Sequence, residues 1–151
     1  MIESEESKVQ THIQNILNDL EDFRGRIYFD VSLMDDDLLT MLVSSRIIKK
    51  SSGYIEDLAR SMSINPAEII EPTPYTIARI AEVFTFREAA LKRTHGNEKG
   101  DENGADKYER KRQIYQKELE RLIAKITEDT FTGGQAAKAR AFPMSVPLYR
   151  G

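Results

Sequence analysis

Residues 106–128 read DKYERKRQIYQKELERLIAKITE, and their reading decides the fold. Tyr108, Tyr115, Leu119, Leu122 and Ile126 recur at intervals of seven, four, three and four. That is the spacing of one apolar seam on an amphipathic helix, with charged residues elsewhere around it. A seam of this length needs another helix to lie on. The stretch beginning at Pro74 supplies one, with Ile77, Ile80, Ala81, Phe84 and Leu91 on an inner face and the helix running to about Thr94. Pro74 suits the first position of a helix, where its missing N–H would be unpaired in any case. Ala78, Ala81, Ala89 and Ala90 permit close approach. The connection, from His95 to Gly104, is polar and glycine-rich, so the two helices are expected to pack as an antiparallel pair across a mobile loop.

Upstream, Val9, Ile13, Ile16, Leu17, Leu20 and Phe23 predict a first helix over residues 4–23, capped by Ser4 or Ser7 and ended by Gly25. Arg26 to Leu33 leans towards β structure but has no hairpin partner, and is read as an extended connector. Asp35-Asp36-Asp37 then opens a second helix. Such a run usually combines an N-cap with acids favoured by the helix dipole, and a metal site is not expected. Leu38, Leu39, Leu42, Val43, Ile47 and Ile48 continue as one stripe, followed by Tyr54, Ile55, Leu58, Ala59 and Met62. Ser51-Ser52-Gly53 is the only weakness seen in it, so one flawed helix and two helices stay equally open. A single turn at Ala67–Ile70 sits between the prolines at 66 and 72. The fold class is mainly α: a bundle of four to five helices over residues 1–131, with an extended C-terminal arm over 132–151.

Composition excludes much chemistry. There is no cysteine, so thiolate metal sites, thiol nucleophiles and disulfides are ruled out. His12 and His95 have no neighbour at ligand spacing and are expected to play plain surface roles. Asp101 to Asp106 lacks the ligand order of a calcium loop. No phosphate-binding loop, nucleophile elbow or dinucleotide fingerprint occurs. The expectation is a non-enzyme with no cofactor and no metal. No apolar run approaches bilayer length, and the acidic start, Met1 to Glu6, lacks a signal core.

The net charge of −3 divides into −6 on residues 1–131 and +3 on the arm, from Lys138, Arg140 and Arg150. Along the arm Phe142, Met144, Val146 and Leu148 alternate with Pro143, Ser145 and Pro147, a period of two that signals an extended strand. Both prolines fall on one edge, so the other edge keeps its N–H groups. Such a segment can add to a partner's sheet on one side while resisting self-aggregation. Phe142, Met144, Val146, Leu148 and Tyr149 are the candidate partner-binding residues, with Lys138 and Arg140 steering. Contacts between copies are looked for at the helix 4–23 and the loop 95–105. A competing reading takes residues 54–70 as the start of a DNA-binding helix-turn-helix. Against it, the recognition helix would be cut short by Pro72 and Pro74 and would offer Glu68 and Glu71 to the phosphates.

The order of parts resembles one family. The elements are Asp36-Asp37-Leu38-Leu39-Thr40-Met41-Leu42-Val43, then Gly53-Tyr54-Ile55, a proline-rich crossover from Pro66 to Pro74, an alanine-rich helix, and Lys107-Tyr108-Glu109-Arg110 opening the last long helix. This resembles the head–tail connector or adaptor proteins of tailed bacteriophages, including the Mu-like head-completion proteins, over residues 27–130. The helix at 4–23 is an addition to that pattern. The resemblance implies a virion structural subunit made in the host cytoplasm. It would form a ring, commonly of twelve copies, that joins portal to tail or tail-terminator protein and extends the DNA channel, with the C-terminal segment reaching the portal.

Overall fold

The computed structural model describes residues 5–96 and 102–133. Over these the chain is mainly helical, with no strand among the described residues. The elements are α1 (Glu5–Asp19), a 3-10 turn (Val31–Leu33), α2 (Asp37–Thr40), α3 (Ser45–Ser61), a second 3-10 turn (Pro66–Glu68), α4 (Tyr75–Gly96), α5 (Glu102–Ile123) and α6 (Glu128–Thr132). Four are long, and α2 and α6 are single turns.

The α4–α5 pair is the most extensive helix contact, and it is antiparallel: Arg79, Arg87 and Arg93 on α4 lie by Glu118, Gln116 and Tyr108 on α5. Leu119 and Leu122 bury the seam, with Tyr108 and Tyr115 half-buried beside them. Helix α4 reaches Gly96 and α5 starts at Glu102, so regular structure enters the expected loop from both sides and takes in Gly104. At the other end the helix stops at Ile123, a turn intervenes, and α6 follows. Phe131 of α6 is fully buried, and Gly133 caps the helix at φ 59°, its N–H donating to the Asp129 carbonyl at 2.7 Å. A Cβ there would meet Ile70 Cδ1 at 2.8 Å. The left-handed turn thus requires glycine for space as well as for φ.

Two lobes of core lie along α4. One gathers Val9, Ile13, Ile16 and Leu20 of the first helical segment around Phe86, Ala89 and Ala90. The other gathers Ile55, Ala59, Ile64 and Ile69 around Ile77, Ile80 and Phe84, closed by Leu119, Leu122 and Phe131. Because α4 is covered on several sides, it carries little amphipathic contrast.

Helix α1 ends at Asp19, before Gly25. Turns carry the chain on to Phe23, whose N–H donates to the Leu20 carbonyl at 2.9 Å. Leu17 points outward. The need for glycine at 25 has another cause, since a Cβ there would run into the Phe23 ring. The connector that follows has no regular structure up to Asp30, which is extended, and then winds into the 3-10 turn Val31–Leu33 in place of the extended run expected there. In it Arg26 donates to the carbonyls of Ile69 (2.7 Å) and Ile70 (2.6 Å) and to Thr73 Oγ1 (2.8 Å). This clamp holds the proline crossover, which contains a cis Glu71–Pro72 peptide.

The second helical stretch breaks at 41–44, and Gly53 lies inside an unbroken α3. The stripe from Leu38 to Ile48 holds helical spacing across the break, which hid it. Ser44, extended at φ −119° and ψ 165°, caps α3 by accepting from Ile47 N at 3.3 Å. His12 secures the same place: its Nε2 lies 2.9 Å from the Val43 carbonyl. A carbonyl only accepts, so this nitrogen carries the proton. His12 is therefore a half-buried tie between α1 and the break, where a plain surface role was expected.

Ser51 and Ser52, which weaken a helix in isolation, form a close seam here. Ser51 Oγ donates to the Ala81 carbonyl at 3.0 Å and Ser52 Oγ to the Arg26 carbonyl. Gly53 sits mid-helix, and a Cβ added to it would have no neighbouring atom within 4 Å. Gly53→Ala should therefore stabilise the protein by about 0.5–1 kcal/mol. Gly133→Ala should destabilise it by about 1–2 kcal/mol. Urea denaturation of the two variants checks both signs.

Candidate interaction surfaces

The site residues named from the sequence, Lys138, Arg140, Phe142, Met144, Val146, Leu148 and Tyr149, lie outside the described residues. Of the expected contact points between copies, the first helical segment spends Val9, Ile13, Ile16 and Leu20 on its own body, and the side chains of the loop 95–105 lie outside those described. Among the described residues no cluster of three or more histidine or carboxylate side chains is poised for a metal, and no helix is long and apolar enough to cross a membrane. In the segment 54–70, α3 ends, Ser63 turns at φ 63°, and a single 3-10 turn follows where a recognition helix would lie.

One buried electrostatic node organises the middle of the molecule. Asp36 caps α2, with Oδ1 accepting from Leu39 N at 3.0 Å. Its Oδ2 accepts from Lys111 Nζ and from the Tyr115 hydroxyl, both at 2.8 Å. Burial pushes the Asp36 carboxyl up, but the Lys111, Leu39 and Tyr115 hydrogen bonds outweigh it and hold the group below the ordinary aspartate range. The Tyr115 hydroxyl is pushed well above its usual value by burial and by the carboxylate it bonds. Tyr28, buried and donating to Glu56 at 3.0 Å, is pushed up to about 12 by burial and by that partner. These groups are held in one protonation state near neutrality.

Two surfaces bearing clefts stand apart from this interior. The first, about 540 Å³, is lined by Phe29, Asp30, Leu33 and Asp35 before α2, by Tyr75, Ala78, Arg79 and Glu82 on the first half of α4, and by Glu118 on α5. Leu33 is 70% exposed and Tyr75 81% exposed, the two most exposed large apolar residues described. Asp30 caps the 3-10 turn that lifts Leu33 outward, accepting from Ser32 N at 3.0 Å. Arg79 bonds Glu82 at 2.9 Å and approaches Asp35 at 3.8 Å. Burial, aided by the Asp35 charge, pushes the Glu82 carboxyl up in spite of that pairing. Asp30, Asp35 and Glu82 thus face the Arg79 guanidinium around an apolar floor, while Glu118 at the edge is paired with Arg121 at 2.7 Å.

The second surface comprises two clefts of about 360 Å³ each that share Lys92. Ser44, Arg46, Ile47, Lys50, Glu88 and Leu91 line one, and Met41, Leu42, Ala89 and Arg93 the other. Here four cations face one carboxylate, again with apolar side chains between them. The helix break at 41–44 makes this surface, because it turns Met41 outward to 41% exposure and places Arg46 on the first turn of α3.

Comparison with protein-family models, curated proteins and solved structures returns no match. The clefts are not legible in the sequence, since their residues come from segments far apart in the chain.

The Asp36 node generates a pH prediction. A carboxyl held below its unfolded pKa contributes stability that is complete above the unfolded value and is lost as pH falls through the folded one. Asp36→Ala should cost about 3 kcal/mol at neutral pH. Asp36→Asn, which can still cap α2, should cost less. The stability gap between wild type and Asp36→Asn should narrow as pH drops below about 4. Urea midpoints at stepped pH check it, and a gap independent of pH would refute the role given to Asp36.

Proposed function

We propose that this chain is a structural subunit of a bacteriophage head–tail connector, joining portal to tail as a ring through which DNA passes without sequence-specific contact. The observation that carries the reading is the pairing of a helical body with an arm of a different kind. The body caps its last helix at Gly133 over a buried Phe131. The sequence then alternates apolar residues from Phe142 to Leu148. Among the described residues there is no sheet to receive a strand, so such an arm finds its hydrogen-bond partners on another protein. Lys138 and Arg140 give it an electrostatic approach to an acidic partner. The order of sequence elements, with Asp36 as a cap, a proline crossover and an alanine-rich helix before the last long one, supports the same reading by its resemblance to connector proteins. On this reading the portal protein is the partner of the arm, the tail or tail-terminator protein is the partner of the opposite face, and the chain resides in the virion at the head–tail junction.

The test uses the full chain and a chain ending at Gly133, each incubated with tail-less heads of the phage that encodes it. The full chain should co-sediment with the heads and restore tail joining, while the shortened chain, folded by circular dichroism, should stay in the supernatant. Equal retention of both chains would overturn the assignment of the arm, and retention of neither would overturn the connector reading itself.

A further inference from the structure

The acidic cleft and the basic clefts are complementary to each other. On the first, Asp30, Asp35 and Glu82 around Leu33 and Tyr75 oppose one arginine, while Glu118 at its edge is already paired with Arg121 at 2.7 Å; on the second, four cations around Met41, Leu42, Ile47 and Leu91 oppose one glutamate. Both lie on α4, and helix geometry separates them. Arg79 and Lys92 are 13 residues apart, roughly 20 Å along the axis and about 140° around it. One molecule therefore cannot bring its own two surfaces together, whereas two copies can.

We infer that the acidic cleft of one copy receives the basic clefts of the next, so that the chain associates head to tail with itself. Different patches on each copy make the contact heterologous, and a heterologous contact repeats until it closes into a ring or runs on as a filament. Tyr75 and Leu33 supply the apolar centre of the interface, seated against Met41 and the stem of Lys92. The charges around them set the register and exclude the pairing of like with like. This inference names the copy-to-copy surface of the ring in the preceding section and rests on that reading for ring closure alone. The self-association has its own readout, separate from attachment to heads.

The experiment is a paired charge reversal followed by sedimentation velocity on the full chain at roughly 50 mM and 500 mM salt. One variant carries Asp35→Lys and Glu118→Lys, and the other Arg46→Glu and Lys92→Glu. Asp35, Arg46 and Lys92 are exposed, and Glu118 gives up only its surface pair with Arg121, so folding should be kept, as thermal melts will show. Wild type should associate at low salt and less so at high salt. Each variant alone should lose roughly tenfold or more in self-affinity, because its two surfaces now carry the same sign. An equimolar mixture of the variants should recover association, with the copies alternating. Three results would overturn the proposal: a wild-type chain that stays monomeric, variants that associate as wild type does, or a mixture no better than its components. A monomeric wild type that still binds heads through its arm would leave the connector reading standing and remove only this interface.

Discussion

The Asp36 carboxylate is the constraint on which the rest of the structure depends. Its two oxygens do different work. Oδ1 starts a one-turn helix, and Oδ2 fixes α5 through Lys111 and Tyr115, residues 75 and 79 positions further along the chain. A short helix such as α2 cannot hold itself together in water. It persists because its cap is also an anchor for the principal helix pair. Tyr115 in turn meets Phe86 of α4, with ring centroids 5.3 Å apart, so the node is continuous with the apolar contact between the two core lobes.

From this node the two cleft-bearing surfaces follow. The chain that arrives at Asp36 comes through the extended connector and the 3-10 turn, which leaves Leu33, Asp30 and Asp35 on one side. The chain that departs breaks after α2 and restarts at Ser44, which leaves Met41 and Arg46 on another. His12 and Ser44 satisfy the backbone of the break, so it is a built feature with partners of its own.

Much of the architecture was legible because periodic burial and local punctuation agree. The seam of α5, the inner face of α4 and the capping role of the Asp35–Asp37 run all follow from spacing and backbone chemistry. Three features were not. The break at 41–44 is masked by leucines, valine and isoleucines that keep helical register on both sides of it. The continuity of α3 through Ser51–Gly53 depends on hydroxyls finding the carbonyls of Ala81 and Arg26, which only the packed structure supplies. His12 looked solvent-facing because its acceptor, the Val43 carbonyl, lies 31 residues away. The clefts share this character: neighbouring charges in space, distant ones in sequence.

The exit at Gly133 has a mechanical side. Immediately before it, the Phe131 carbonyl accepts from Ile70 N at 3.1 Å, and Ile70 and its neighbour Ile69 are held by the Arg26 guanidinium. Tension applied to the chain beyond Gly133 thus enters the molecule through α6 and the crossover, where polar ties and a buried phenyl ring share the load. The anchorage sits at the foot of α4, the strut in contact with both core lobes.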